Sequence, residues 1–197
     1  MTGETTRPRP ALTLPRLDTL RPGRMHEACG AGRRAFAASV AGMLEGPVLW
    51  VMDARRRDML CPEGLARAFD PARLLLARPG GTLALLQVME EALRSGAVPL
   101  VVGDLDEAPD LTQSRRLQLA AGTGGGRALC LVPEGRLCTN AAETRWRCTP
   151  IAAPGPGAGA LQHWEIVKNK QGRLDTWEVS LGARAPAPRS GEAAGIA

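Results

Sequence analysis

The stretch GRMHEACGAGRRAFAASV, residues 23–40, holds a strand-length run, a turn built on Gly30 and Gly32, and a segment whose apolar residues recur at helical spacing. Strand, glycine turn and helix in that order open a parallel α/β sheet. The same layout serves phosphate-binding loops of the form G-x-x-x-x-G-K-[ST]. There, backbone N–H groups at a helix N-terminus face the anion, a Lys neutralises the terminal phosphates and a hydroxyl holds Mg²⁺. Set against Gly30 without gaps, the second Gly position is Ala35, the Lys position is Phe36 and the hydroxyl position is Ala37. Neither a nucleotide cofactor nor a metal is therefore expected at this loop. Phe36 continues into Val40 and Leu44 at helical spacing, so it faces the core or plugs the vacated pocket. Arg33 and Arg34 are either replacement phosphate ligands or a solvated first turn, where their charge opposes the helix dipole.

Outward from this unit, short apolar runs alternate with helix-period segments, the mark of buried parallel strands joined by crossover helices. The runs are PVLWVMD (47–53), RLLLA (73–77), VPLVVGD (98–104) and RALCLVP (127–133). Between the second and third, Leu85, Leu86, Met89 and Leu93 form one stripe of a helix. Gln87, Glu90, Glu91 and Arg94 oppose that stripe, and Gly96 ends the helix. After residue 140 the period changes to two in ETRWRC and HWEIVKNKQGRLDTWEVSL, with a hairpin turn near Asn169 to Gly172. The expected class is α/β: a mainly parallel sheet flanked by helices and extended by antiparallel strands on its C-terminal side. PIAAPGPGAGA, 150–160, reads as a flexible connection, since a Gly/Pro mixture continues no strand.

At 197 residues the chain suits one domain with tails. The expected division is a flexible segment 1–22, a domain 23–181 and a Pro/Ala/Gly-rich tail 182–197. Leu12, Leu14, Leu17 and Leu20 form a small apolar patch that docks on the domain or on a partner. Net charge is +5, and only Lys168 and Lys170 among the basic residues are not Arg. That bias favours a polyanionic or acidic partner, or reflects a GC-rich coding sequence. Aromatic content of 3% with no Tyr counts against a base-stacking platform. The five cysteines include no C-x-x-C pair, the only histidines are His26 and His163, and no metal site assembles from them. With no apolar h-region in the first 24 residues and no run approaching the roughly 20 residues of a membrane span, a soluble cytoplasmic protein with reduced thiols is expected.

Asp104, at the end of the third apolar run, stands where a Mg²⁺-binding carboxylate would sit. Asp106, Glu107 and Asp110 follow it as a capped loop or a metal cage. Asp53 precedes Arg55, Arg56 and Arg57, which leaves no nearby carboxylate to activate a water. Later in the chain Arg145 and Arg147 flank Trp146, and Lys168, Lys170 and Arg173 stand on the hairpin. These five form a basic face for DNA or an acidic protein, or a solvated sheet face over a core of Trp146, Trp164 and Trp177.

GRMHEACGAG, FDPARLLLARP, EEALRSGAVPLVVGDL, RRLQLAA and VKNKQGRLDTW, in this order, resemble the core of the RecA recombinase. More closely, they resemble the ImuA family, RecA-like proteins of bacterial damage-induced mutagenesis operons. The resemblance runs from about residue 15 to residue 181. It implies a RecA-like core acting in translesion synthesis beside an inactive Y-family polymerase homologue and an error-prone replicative-type polymerase, in the cytoplasm at the nucleoid. RecA itself and, weakly, DNA are further candidate partners. The stretches matching RecA's two DNA-binding loops are short, and only a tail stands where RecA has a C-terminal DNA-gathering domain. With the altered phosphate loop, this makes a non-catalytic accessory protein the expected function. The alternatives are a SulA-like inhibitor of the bacterial division ring and an ATPase that uses Arg33 or Arg34 in place of the missing Lys.

Overall fold

The structure, a computed structural model, describes residues 19–152 and 160–181. Its strands are β1 (Arg24–Cys29), β2 (Val48–Met52), β3 (Leu74–Ala77), β4 (Leu100–Asp104), β5 (Arg127–Val132), β6 (Thr144–Ile151), β7 (Ala160–Asn169) and β8 (Thr176–Leu181). Its α-helices are α1 (Arg33–Gly42), the single turn α2 (Pro62–Leu65), α3 (Thr82–Ser95) and α4 (Leu111–Gly124). The strands form one sheet in the order β3-β2-β4-β5-β1-β6-β7-β8. Neighbours from β3 through β6 pair in parallel, whereas β6, β7 and β8 pair antiparallel. A mostly parallel core with an antiparallel C-terminal extension is the expected class.

Continuous apolar runs make these central strands because both faces are covered. Leu100 and Val102 of β4 point into a cluster with Phe36, Trp50, Trp146 and Trp164. Val101 between them points into a second cluster with Met89, Leu93 and Leu117 of α3 and α4. In the extension only one face is apolar. Trp146, Cys148, Trp164, Ile166 and Val179 are buried on the α1 side, and Arg145, Arg147 and Glu165 alternate with them at half-exposed positions. Trp146 and Trp164 are fully buried and Trp177 is half-buried, stacked on Trp146 at 5.3 Å.

Three expectations are corrected. β6 runs through Pro150 and Ile151, which pair with Gln162 and Leu161, because β1 pairs with β6 only from Arg145 to Arg147, so at Pro150 β6 is an edge and tolerates a residue without a ladder donor. The rest of the 150–160 connection lies almost wholly outside the described residues. Glu90 is buried, not on the solvent face of α3, and pairs with Arg94 of α3 and Arg116 of α4. Leu20 is buried in the core and its carbonyl accepts from Arg127 Nε at 2.5 Å, so this member of the leucine patch docks on the domain instead of belonging to a flexible segment. Leu12, Leu14, Leu17 and the tail 182–197 lie outside the described residues.

His26, buried in β1, sits in a chain of hydrogen bonds with one polarity. Its Nε2 faces the Arg21 carbonyl at 3.0 Å and so donates, which leaves Nδ1 to accept from the Thr144 hydroxyl at 2.8 Å. Thr144 Oγ1 accepts in turn from Trp146 Nε1 at 3.0 Å. The neutral ring is therefore satisfied and the imidazolium is not. Burial, opposed by the Arg21 carbonyl and aided by the charges of Arg127 and Arg24, lowers its pKa to about 4. A depressed histidine makes the folded state bind fewer protons than the unfolded chain between the two pKa values. Stability conferred by neutral His26 should thus be complete above about pH 6.5 and be lost as pH falls towards 4, by on the order of 3 kcal/mol. Urea denaturation of the wild type and His26→Gln across pH 7 to 4 checks this: the variant should be less stable at pH 7, with a flatter profile.

Candidate functional site

The turn between β1 and α1 closes on the protein itself. Gly30 has a φ of 90°, a left-handed conformation that favours glycine, and a Cβ there would run into the Cys148 carbonyl. That carbonyl accepts from Gly32 N at 2.9 Å, and Arg33 N turns back to Gly30 O at 3.3 Å. Two amides that would face an anion in a phosphate loop therefore serve β6 and the turn. Arg33 Nη1 donates to Gly30 O at 3.0 Å. Gly32 is also the N-cap of α1, which has no acidic residue in its first turn.

Of the two readings of Phe36, the core placement holds. Phe36 is 1% exposed, its ring 4.9 Å from both Trp146 and Trp164, edge-on to the latter. Ala37 is buried beside it, and Ala35 is half-exposed at the helix start.

Beyond the turn, at the C-terminal ends of β2 and β4, two guanidinium groups grip the end of β4. Arg34 Nε donates to Asp104 Oδ2 at 2.6 Å and Arg56 Nη1 to Asp104 Oδ1 at 3.1 Å. The Asp104 side chain is fully buried, those of Arg34 and Arg56 29% and 19% exposed. Arg34 Nη2 also pairs with Asp58, and Arg56 reaches Asp58 at 3.0 Å and Asp106 at 3.4 Å. Arg56 and then Arg34 hold the Asp58 carboxyl well below its usual range. Asp58 is thus a carboxylate close to the run of arginines after Asp53, contrary to the expectation that none stands nearby, but it is committed to two cations. Asp53 is taken by Arg55 at 2.6 Å and by the Gly81 amide at 3.1 Å, and Arg55 depresses its pKa. Asp110 caps α4 in a reciprocal capping box with Gln113, and Glu107 pairs with Arg136 at 3.5 Å. The acids after Asp104 thus hold a cap and ion pairs. Among the described residues no group of His, Cys, Asp and Glu is arranged to hold a metal ion.

The basic residues of the extension divide by their partners. Arg145 donates through Nε to the buried carboxylate of Glu27 at 2.7 Å and through Nη2 to Cys138 O at 2.6 Å. Arg147 pairs with Glu165 at 3.0 Å and Glu134 at 3.4 Å. Both are neutralised. Lys168 and Lys170 reach only backbone carbonyls, of Asn140 at 3.1 Å and Ala141 at 2.7 Å, so neither ammonium is in an ion pair, although Glu27 and Glu143 favour the Lys168 charge from a distance. Burial, then Arg145 and Lys170, lowers the Lys168 pKa. Arg173 is exposed in the turn that follows.

Sequence reading missed Asp58 and Glu27 and left Arg56 without its carboxylate partners. For Arg56 and Asp58 the usable signal was charge after the ends of neighbouring parallel strands, which lie side by side at one edge of the sheet; Glu27, inside β1, gave none. No helix among the described residues is long and apolar enough to cross a membrane.

No protein-family model matches the chain. Two relatives, both named Protein ImuA and from two strains of Caulobacter vibrioides, are each 36% identical over 183 residues, which cover 79% of this chain and 73% of the relative. At that identity and coverage the chain belongs to the ImuA family.

Proposed function

We propose that this chain is a non-catalytic RecA-like adaptor in damage-induced, error-prone translesion synthesis. It acts beside an inactive Y-family polymerase homologue and an error-prone replicative-type polymerase. Family membership supplies the pathway. The observation that carries the non-catalytic part is the double grip of Arg34 and Arg56 on Asp104. A Mg²⁺-binding carboxylate must present free oxygens to the ion, and both oxygens here already hold cations of the chain. Arg34, the rival phosphate ligand, is spent in the same pair, which leaves Arg33 as the charge on which an ATPase reading must rest. The test has two parts. Calorimetric titration of the full chain with Mg·ATP should give no saturable heat; micromolar affinity abolished by Arg33→Ala would establish a nucleotide site and remove the non-catalytic reading. In cells, deletion should abolish damage-induced mutation, and the chain should co-purify with the inactive polymerase homologue. Filamentation on overproduction without DNA damage, in a strain lacking both polymerases, would favour a division inhibitor instead.

DNA is the secondary partner in this reading, contacted through the charges of Lys168, Lys170 and Arg173. Duplex affinity should be weak and sequence-independent, with log K falling against log salt by about 0.9 per phosphate neutralised. Filter binding at two salt concentrations measures the slope. Affinity that survives replacing all three residues by Ala would remove DNA from the partners.

A further inference from the structure

Five carboxylates are buried among the described residues: Glu27, Asp53, Glu90, Asp104 and Glu143. Four of them hold a guanidinium, from Arg145, Arg55, Arg116 with Arg94, and Arg34 with Arg56 respectively. That agrees with the rule that buried charges are paired. Glu143 departs from it: Lys168 feels its charge, but no cation among the described residues forms an ion pair with it. Its Oε1 is buried without a hydrogen-bond partner, although its backbone is fixed by bonds from its N–H to Met25 O at 2.8 Å and from Lys170 N to its carbonyl at 3.1 Å.

Glu143 forms part of the wall of an open cavity of ≈ 280 Å³ between residues 19–21 and the β7–β8 turn, which Arg21, Asn169, Arg173 and Asp175 also line. The wall's own arginines do not fill the gap, since Oε1 stays unpartnered beside them, and Arg21 Nη1 is directed to Gln171 Oε1. We infer that this cavity accepts the guanidinium of an arginine from a partner polypeptide. Glu143 is its primary acceptor and Asp175 is the second. A cation is called for because a neutral donor would leave the buried charge uncompensated. A guanidinium suits better than an ammonium because it is less strongly hydrated and forks onto a carboxylate, as Arg55 does on Asp53, and guanidinium groups also hold the other three paired buried acids. Arg21 and Arg173 then meet the backbone carbonyls that flank such a side chain in a peptide. The size admits one side chain and not a folded domain. The inference does not depend on the translesion reading.

The test is amide chemical-shift titration of the labelled full chain with N-acetyl-arginine amide, using N-acetyl-citrulline amide, isosteric and uncharged, as the control. The arginine probe should give saturable shifts at Glu143 and in residues 169–175, and citrulline should give none. Glu143→Gln should weaken the affinity about tenfold or more, the loss expected for a hydrogen bond to a charged group. Because Glu143 is buried, exposed Asp175→Asn provides a second variant that leaves the fold alone and should weaken binding as well. Equal shifts from both probes, no shifts from either, or binding unchanged in both variants overturns the inference. So does binding that appears only after Arg7, Arg9 and Arg16 are replaced by Gln, because the chain's own N-terminal segment then fills the cavity.

Discussion

Phe36→Lys, which places a lysine where the G-x-x-x-x-G-K-[ST] alignment would have one, should destabilise the domain severely and not confer ATP binding. The side chain at this position is 1% exposed and packs against Trp146 and Trp164 at 4.9 Å. A lysine there would place an ammonium among indole rings with no carboxylate to receive it, and an unpaired buried charge costs several kcal/mol. Cation–π attraction to a tryptophan returns about 2 kcal/mol when desolvated, too little to offset that and the loss of two aromatic contacts worth about 0.5–1.5 kcal/mol each. The expected loss exceeds about 4 kcal/mol, a large share of the roughly 5–15 kcal/mol that holds a domain folded. Phe36→Ala should cost about 3–5 kcal/mol and Phe36→Leu about 1–2 kcal/mol. Guanidinium denaturation should therefore rank the variants Leu, Ala, Lys in order of decreasing stability. A folded Phe36→Lys protein that binds Mg·ATP would show that the turn has kept a phosphate site, and the adaptor reading would lose its structural support.

What the sequence disclosed about Phe36 follows from the range of the forces involved. Periodicity reports which side of an element meets the sheet, so the apolar runs of β2, β4 and β5 and the Leu85–Leu93 stripe of α3 could be read directly. It does not report a second neighbour. Glu90 lies off the stripe that meets the sheet but is buried because α4 packs alongside α3 and brings Arg116 to it. Phe36 was legible as apolar and helical, yet whether it entered the core or a pocket depended on Trp146 and Trp164, more than a hundred residues away. The same holds for the ion pairs. Arg34 and Asp104 are 70 residues apart, and Arg145 and Glu27 118. Only the strand order, which sets β1 beside β6 and leaves β5 alone between β1 and β4, brings such partners together. A local run of charge signalled that charges were present near the strand ends but not which of them would cancel.

Whether the Arg34–Asp104–Arg56 cluster is a structural lock or a disabled catalytic centre with some remaining use can be decided by removing its parts in different combinations. Removing both cations with Arg34→Ala and Arg56→Ala leaves a fully buried carboxylate without its guanidinium partners. That double variant should lose about 3–5 kcal/mol, the usual cost of breaking a buried pair from one side. Removing the anion alone, Asp104→Ala, should cost less: Arg34 and Arg56 are 29% and 19% exposed, both still have Asp58, and a partly exposed cation can turn to water. Replacing all three by apolar residues of similar bulk, Arg34→Met, Arg56→Met and Asp104→Leu, should restore stability to near the wild type, since well-packed apolar substitutes for a buried ion pair are often neutral or stabilising. Denaturant midpoints with an unchanged m-value give the three numbers, and the ranking matters more than any one of them. The functional consequence separates the two readings. As a lock, the cluster contributes only to folding, so the triple apolar variant should match the wild type both in co-purification with the proposed polymerase homologue and in damage-induced mutation. A triple variant as stable as the wild type yet without activity in cells would mean that the charges themselves are used, and the search for a ligand would return to the ends of β2 and β4.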